Sequence, residues 1–174
     1  MIIAFTGKKR SGKSTACEIV GWPRVNFKNA LVAEIKQNFP TLLGKIVEVY
    51  SHLYPKTVDD LFVEKEPFVR ALLQNYGTEV RRRDDPEYWV KRWKESLPDG
   101  NVLVDDVRFL NEAKAVRDAG GIVVRIVRAD MESTDTHASE TEMDLIVPDY
   151  TIETTTGDFE GMRAQLDAIL KTNT

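Results

Sequence analysis

At 174 residues, 42% hydrophobic and 30% charged, the chain has a soluble globular composition and the length of one compact domain with a real core. Its apolar runs fall far short of the ~20 residues that span a bilayer, no basic-then-apolar leader opens it, and a single cysteine, Cys17, excludes an internal disulfide and suits a reducing cytoplasm. The net charge of -4 is uneven: residues 1–28 hold six Lys or Arg against Glu18, while residues 129–160 hold ten acids and no Lys or Arg, which argues against an extended nucleic-acid face and for a small anionic ligand at one end.

In chain order, Ile2 to Thr6 is an apolar run ending at Gly7, which suits a buried parallel strand. A helix is predicted over Ser14 to Val20, stopped by Gly21-Trp22-Pro23, and Arg24 to Phe27 reads as a second short strand. From Ala30 to Leu97 the pattern is helical, with Leu31, Ile35 and Phe39 and then Phe68, Leu72, Leu73 and Tyr76 at helical spacing. Asp85-Pro86 predicts an N-cap with Pro at the first helical position, and Trp89, Trp93 and Leu97 would share a face of that helix. After the turn Pro98-Asp99-Gly100-Asn101, Val102 to Asp106 reads as a buried strand ending in acid. Asn111 to Ala119 is a helix closed by Gly120-Gly121, followed by the strands IVVRIV and DYTIET and a helix over Asp158 to Leu170.

This alternation implies an α/β fold: a parallel sheet of about five strands with helices on both faces. Ligands of such sheets sit at the carboxyl ends of the strands, where Gly7, Asp106 and Arg128 would meet. The expected division is a core of residues 1–29, 98–128 and 148–174, a helical insertion over 30–97 and a polar lid over 129–147.

Gly7-Lys8-Lys9-Arg10-Ser11-Gly12-Lys13-Ser14 matches G-x-x-x-x-G-K-[ST] between a predicted strand and a predicted helix. Glycines let the backbone wrap phosphate, and the loop amides and helix N-terminus supply positive potential. Lys13 would reach the terminal phosphates and the Ser14 hydroxyl would ligate Mg²⁺. Val102 to Asp106 has the character of the second nucleotide-site element, an apolar strand ending in an acid near the metal. Phosphoryl transfer is mostly positioning and charge stabilisation, so arginines count: Arg70, Arg108, Arg125 and Arg128 are candidates, the strand-end pair Arg108 and Arg128 foremost. Arg81-Arg82-Arg83 reads as a solvated run rather than an anion clamp, and Trp89 and Trp93 as core rather than base-stacking groups. His52 and His137, without a cysteine cluster, do not suggest zinc.

No guanine-reading N-K-x-D string is present, and motors and transporters need more chain. An insertion for the acceptor and a water-excluding lid fit a small-molecule kinase. The blocks GKKRSGKST, VRALLQNYGTEV, DPEYWVK, VDDVRFLNEA, VVRIVRA and TDTHASE, in this order over residues 5–140, resemble the bacteriophage deoxynucleoside monophosphate kinases. That resemblance implies a P-loop nucleoside monophosphate kinase fold, ATP and Mg²⁺ as cofactors, and a deoxynucleoside monophosphate as acceptor. It implies an ATP site at Gly7, Lys8, Arg10, Ser11, Gly12, Lys13, Ser14 and Thr15, and metal ligands Ser14 and Asp106, the latter preferred to Asp105 as part of a D-x-R pair with Arg108. On the acceptor side it implies Phe27, Lys28, Arg70, Gln74, Arg108 and Glu112, with Arg128 leading into a lid that carries His137 and Glu140.

This sequence departs from the family pattern in three places. Ser14 stands where Asp is frequent, the F-A-x-P-[LI]-K segment lacks its last lysine, leaving Lys28 or Lys36 as substitutes, and Thr154 or Thr155 replaces an Asn after the last strand. Kinases of other phosphorylated metabolites, of the phosphomevalonate or dephospho-coenzyme A type, and a non-catalytic ATP-binding regulator are the alternatives. No nucleic-acid or membrane partner is expected; a homodimer stays open.

Overall fold

The protein is described as a computed structural model covering residues 1–50, 57–64, 67–130 and 142–173. His52, His137 and Glu140 lie outside the described residues. Two compact units divide the chain, one of Met1–Phe27 with Lys94–Thr174 and one of Lys28–Trp93. Among the described residues no helix is long and apolar enough to cross a membrane.

The first unit is built on a sheet whose four strands all run parallel, in the order β2-β1-β3-β4. The strands are β1 (Ile2–Thr6), β2 (Val102–Val104), β3 (Ile122–Arg128) and β4 (Tyr150–Thr154). Every residue of β1 and β2 is buried, as strands covered on both faces require. Helices α1 (Lys13–Val20) and α8 (Phe159–Asn173) cover one face, packing Ala16, Cys17, Met162, Leu166 and Ile169 on Ile3, Phe5, Leu103, Val124, Ile126 and Ile152. Helix α7 (Leu110–Asp118) buries Ala113, Ala115 and Val116 against β1 and β3. Arg117 pairs with Asp149 and donates to the Val147 carbonyl, so α7 also secures the approach to β4.

The second unit is helical: α2 (Phe27–Asn38, whose first residue belongs to the sheet unit), α3 (Pro40–Tyr50), α4 (Val58–Glu64), α5 (Pro67–Gln74), a π-helical segment Asn75–Arg82, and α6 (Tyr88–Glu95). Its own core gathers Ile35, Leu43, Phe62 and Val69, with Leu31, Phe39, Leu72, Leu73 and Tyr76 packed around them. The helical spacing that singled out most of these residues was therefore a core signal.

Three details differ from the sequence expectation. Arg24 to Phe27 is not a strand: Arg24 makes one isolated parallel bridge with Leu103, so the sheet has four strands rather than about five among the described residues. The Pro23 carbonyl accepts the Leu103 N–H and the Val25 N–H donates to the Leu103 carbonyl, both at 2.8 Å, after which Asn26 and Phe27 bond to the Asp105 and Asp106 carboxylates instead of continuing the pairing. The regular part of helix α6 starts at Tyr88, two residues beyond Pro86, although the Asp85 carboxylate does accept the Glu87 N–H at 3.0 Å as a cap would. Leu97 lies beyond the end of α6, whereas Trp89 and Trp93 are buried as expected of core.

Asn26 is the fastener at β2. Its Nδ2 donates to Asp105 Oδ1 at 2.8 Å, its Oδ1 accepts the Asp105 N–H at 2.9 Å, and the residue is buried. We expect Asn26→Ala to remove about 1–3 kcal/mol of stability, seen as a lower urea midpoint at unchanged slope.

Candidate functional site

Between β1 and α1 the chain makes a tight loop. The Ser11 N–H closes a turn onto the Lys8 carbonyl at 3.1 Å. Gly7 sits at φ 141°, and a Cβ there would lie 2.3 Å from the Ile126 carbonyl oxygen of β3. Only glycine fits that path. Arg10 holds a left-handed φ of 64°, which is uncommon for a residue with a Cβ, and Gly12 caps α1 in the same region.

The loop carries charge as well as shape. The Lys13 ammonium donates to the Gly7 carbonyl at 2.6 Å and the Lys8 carbonyl at 2.7 Å, so it lies across the loop mouth. Helix α1 has no acid in its first turn, where Ser14 is exposed and Thr15 half-buried. Its positive end is thus unopposed from within. Ser11 is buried, whereas Lys9 and Arg10 face solvent.

Beside the loop lies a cavity of about 320 Å³, walled by Gly7, Lys8 and Ser11, by Arg125 and Arg128 of β3, and by Met143 and Asp144. Lys8 Nζ pairs with Asp144 at 2.6 Å across it. The two arginines of β3 serve different ends. Arg125 Nη2 donates to the Met143 and Ile146 carbonyls at 2.9 and 2.6 Å, holding the segment before β4 in place. Arg128 is the last residue of β3 and lines the cavity from the strand's carboxyl end.

At the end of β2 the two acids are also divided. Asp105 is buried against Asn26, and Arg24 reaches its Oδ2 at 3.5 Å while donating to the Ser14 carbonyl at 3.2 Å. Asp106 Oδ1 accepts the Phe27 N–H at 3.1 Å, at the first residue of α2. Among the described residues no three His, Cys, Asp or Glu side chains cluster to hold a metal. An Mg²⁺ ion needs no such cage, because it is usually held by one or two carboxylates, waters and substrate phosphates. Ser14 and Asp106, the pair named from the sequence, are donors of that type.

The remaining expected residues fall as follows. Glu112 is buried, and its Oε2 accepts the Arg108 N–H at 2.8 Å and the Phe109 N–H at 3.2 Å, so its carboxylate holds the turn that carries Arg108. Phe27 is buried, and Lys28 half-buried. Arg70 and Gln74 are half-buried on α5 of the helical unit. Lys36 is paired with Asp59 and lies 5.4 Å above the Phe62 ring, which gives it a structural use in that unit. Thr154 is buried, its hydroxyl directed to the Thr155 carbonyl at 3.3 Å. Sequence reasoning missed Arg24, Asn26 and Asp144. Only the polar interruptions of a supposed strand marked the first two, and nothing local marked the third.

Adding one methyl group at position 7 tests the loop geometry. Gly7→Ala should abolish nucleotide binding in isothermal titration and lower stability by more than ~1 kcal/mol, as expected where alanine is forced to positive φ.

Known proteins resemble this chain in sequence and in fold. The family model described as deoxynucleotide monophosphate kinase matches residues 45–164. A protein of Acanthamoeba polyphaga mimivirus, whose provisional name is deoxynucleotide monophosphate kinase, is 29% identical over 82% of this chain and 82% of its own length. The deoxynucleotide monophosphate kinase of Escherichia phage RB69 is 31% identical over 59% of this chain and 45% of its own. The crystal structure of TT1252 from Thermus thermophilus superposes with a TM-score of 0.51 over 100% of this chain and 98% of that one; at 17% identity this is a likeness of fold.

Proposed function

Since the chain belongs to the deoxynucleotide monophosphate kinase family, we propose that it transfers the γ-phosphate of ATP to the phosphate of a deoxynucleoside monophosphate. The products are ADP and the deoxynucleoside diphosphate. The observation that carries this reading is the loop itself: Gly7 to Ser14 opens α1 at the carboxyl edge of a parallel sheet, with the Lys13 ammonium already drawn across it.

The transfer is direct. An acceptor phosphate oxygen forms a bond to the γ-phosphorus as the bond to the β–γ bridging oxygen breaks, and the electron pair leaves on ADP. The loop amides around Gly7, Lys8, Arg10, Ser11 and Gly12 and the first turn at Thr15 bind the donor phosphates. Lys13 exchanges its two carbonyl partners for phosphate oxygens, a stronger charge-assisted contact. Mg²⁺, when bound, neutralises charge on the β- and γ-phosphates; Ser14 and Asp106 would hold it. Arg108, steadied through its main chain by Glu112, and Arg128, at the end of β3, neutralise charge on the group in flight.

In the helical unit Arg70 grips the acceptor phosphate and Gln74 hydrogen-bonds the base. Phe27 and Lys28 complete that side. His137 and Glu140 belong to the lid motif. That lid has no Lys or Arg, so the cation at its root has to come from Arg128.

The test is ADP formation from Mg-ATP with each deoxynucleoside monophosphate, and with phosphomevalonate and dephospho-coenzyme A as rival acceptors. Acceptor-dependent ADP with at least one deoxynucleotide is expected, and its absence with all of them ends this reading. Lys13→Ala and Arg128→Ala should each lower turnover by about 10²–10³-fold, the scale of one lost charge-stabilising donor. Arg125→Ala should instead weaken folding, because it releases the Met143 and Ile146 carbonyls. Near-normal turnover in Arg128→Ala removes that residue from the mechanism.

A further inference from the structure

The most elaborate polar cluster among the described residues of the helical unit surrounds Glu34 of α2. Glu34 Oε1 accepts from the Tyr76 hydroxyl at 2.8 Å and from Arg81 Nε at 2.6 Å, with Arg81 Nη2 also against it. Its Oε2 accepts from the Tyr88 hydroxyl at 2.6 Å. The carboxylate is only 11% exposed, and the Arg81 guanidinium lies 5.3 Å from the Tyr76 ring centroid and 5.2 Å from that of Tyr88. Asn38 Nδ2 and Arg92 Nη2 add donors to the Tyr76 and Tyr88 hydroxyls at 2.9 and 3.3 Å. Burial pushes the Glu34 carboxyl up, but the hydrogen bonds from Tyr88, Tyr76 and Arg81 outweigh it and leave it below the usual carboxylate range. Glu34 is therefore ionised at neutral pH. Arg81, expected as part of a solvated run, is instead the countercharge of this cluster; Arg83, exposed and beside Asp84, fits the solvated description.

The cluster joins three elements, and the middle one is unusual. Tyr76 and Arg81 belong to the π-helical segment Asn75–Arg82, a winding that is rare and frequently found at functional sites. That segment has weak helix formers at Asn75, Gly77, Thr78 and Val80, so propensity alone does not hold it. Two further contacts do. Trp89 Nε1 donates to the Gly77 carbonyl at 2.9 Å, and the Gly77 Cα lies so close to Leu31 that a Cβ would come within 3.0 Å of its Cδ2.

The segment starts directly after Gln74, four residues beyond Arg70. If one turn relaxed from π to α winding, the residues on one side would rotate against those on the other by about 100°, the angle per residue of an α-helix. Such a rotation would move Arg70 and Gln74 relative to Tyr76, Gly77 and Arg81.

We propose that Glu34 is a positioning residue for the acceptor nucleotide: by holding Tyr76, Arg81 and Tyr88 it keeps the π-helical segment wound, and so sets the direction in which Arg70 and Gln74 face the bound monophosphate. This rests on the reading above that Arg70 and Gln74 bind the acceptor. Glu34 itself touches no substrate.

The experiment compares KM for the preferred deoxynucleoside monophosphate with KM for ATP in wild type, Glu34→Ala, Glu34→Gln and Tyr88→Phe. Amide hydrogen exchange over residues 70–82 is followed in parallel. Glu34→Ala should raise the monophosphate KM at least tenfold and leave the ATP KM within twofold, with faster exchange in residues 75–82. Glu34→Gln, which keeps acceptor oxygens for the tyrosines but loses the charge facing Arg81, should fall between it and wild type. Tyr88→Phe, which removes a single hydroxyl, should shift the monophosphate KM in the same direction and serves if Glu34→Ala does not fold. Unchanged monophosphate KM in all the folded variants overturns the proposal, as does a parallel rise in both KM values. Wild-type protein inactive with every deoxynucleotide overturns the kinase reading and this inference with it. An active wild type with indifferent variants overturns the inference alone.

Discussion

The approach of the Gly7 backbone to the Ile126 carbonyl is the constraint on which the sheet unit's site depends. A side chain at position 7 would occupy the place of that oxygen, so the loop leaves β1 pressed against the neighbouring strand. From this path follow the turn at Lys8 to Ser11, the Lys13 ammonium lying over the Gly7 and Lys8 carbonyls, and a cavity bounded by the loop on one side and β3 on the other. The parallel register, with Thr6 beside Arg125, brings the ends of β1 and β3 out at the same edge. The loop amides and Arg128 are neighbours because their strands are.

The asymmetry of charge has a local explanation rather than a diffuse one. In the acidic stretch, Asp144 pairs with Lys8, Glu142 accepts the Leu110 N–H, and Asp149 takes both the Arg117 guanidinium and the Val123 N–H. Asp158 accepts the Gly161 N–H at the start of α8. Asp130 binds Thr156, whose hydroxyl and then N–H hold its carboxyl below the usual range. These acids serve helix starts, strand ends and one loop lysine. The Lys8–Asp144 pair joins this negative stretch to the positive loop at the cavity wall, where an anionic ligand and Asp144 would compete for the same ammonium.

The candidate site was legible where its chemistry is local in sequence. The loop needs glycines, a lysine and a hydroxyl at fixed offsets, so residues 7–14 announce it. The acid after an apolar strand and the arginine at the end of β3 were visible for the same reason, since strand ends are marked by a change of polarity. The division of labour among like residues was not visible. Asp105 and Asp106 are adjacent, yet one meets Asn26 and the other the Phe27 N–H. Arg125 and Arg128 are three apart on one strand and both line the cavity, yet Arg125 also holds the Met143 and Ile146 carbonyls. Glu112, placed on the acceptor side by the resemblance, accepts the Arg108 and Phe109 N–H groups of a backbone turn. Each outcome depends on what lies opposite, often across dozens of intervening residues.

By itself, then, the amino-acid sequence determined the α/β alternation, the phosphate loop, the helical character of residues 30–97 and the family to which the chain belongs. Apolar periodicity and short motifs are sufficient for those, because they act over a few neighbouring residues. Tertiary structure alone decided that residues 24–27 form a fastened segment instead of a fifth strand, since the Asn26 carboxamide and the Phe27 N–H bond to the Asp105 and Asp106 carboxylates in place of further ladder bonds. It alone also decided that Asn75–Arg82 winds as a π-helix with Arg81 turned inward. A half-buried carboxylate from α2, 47 residues away, takes that positive charge as its partner.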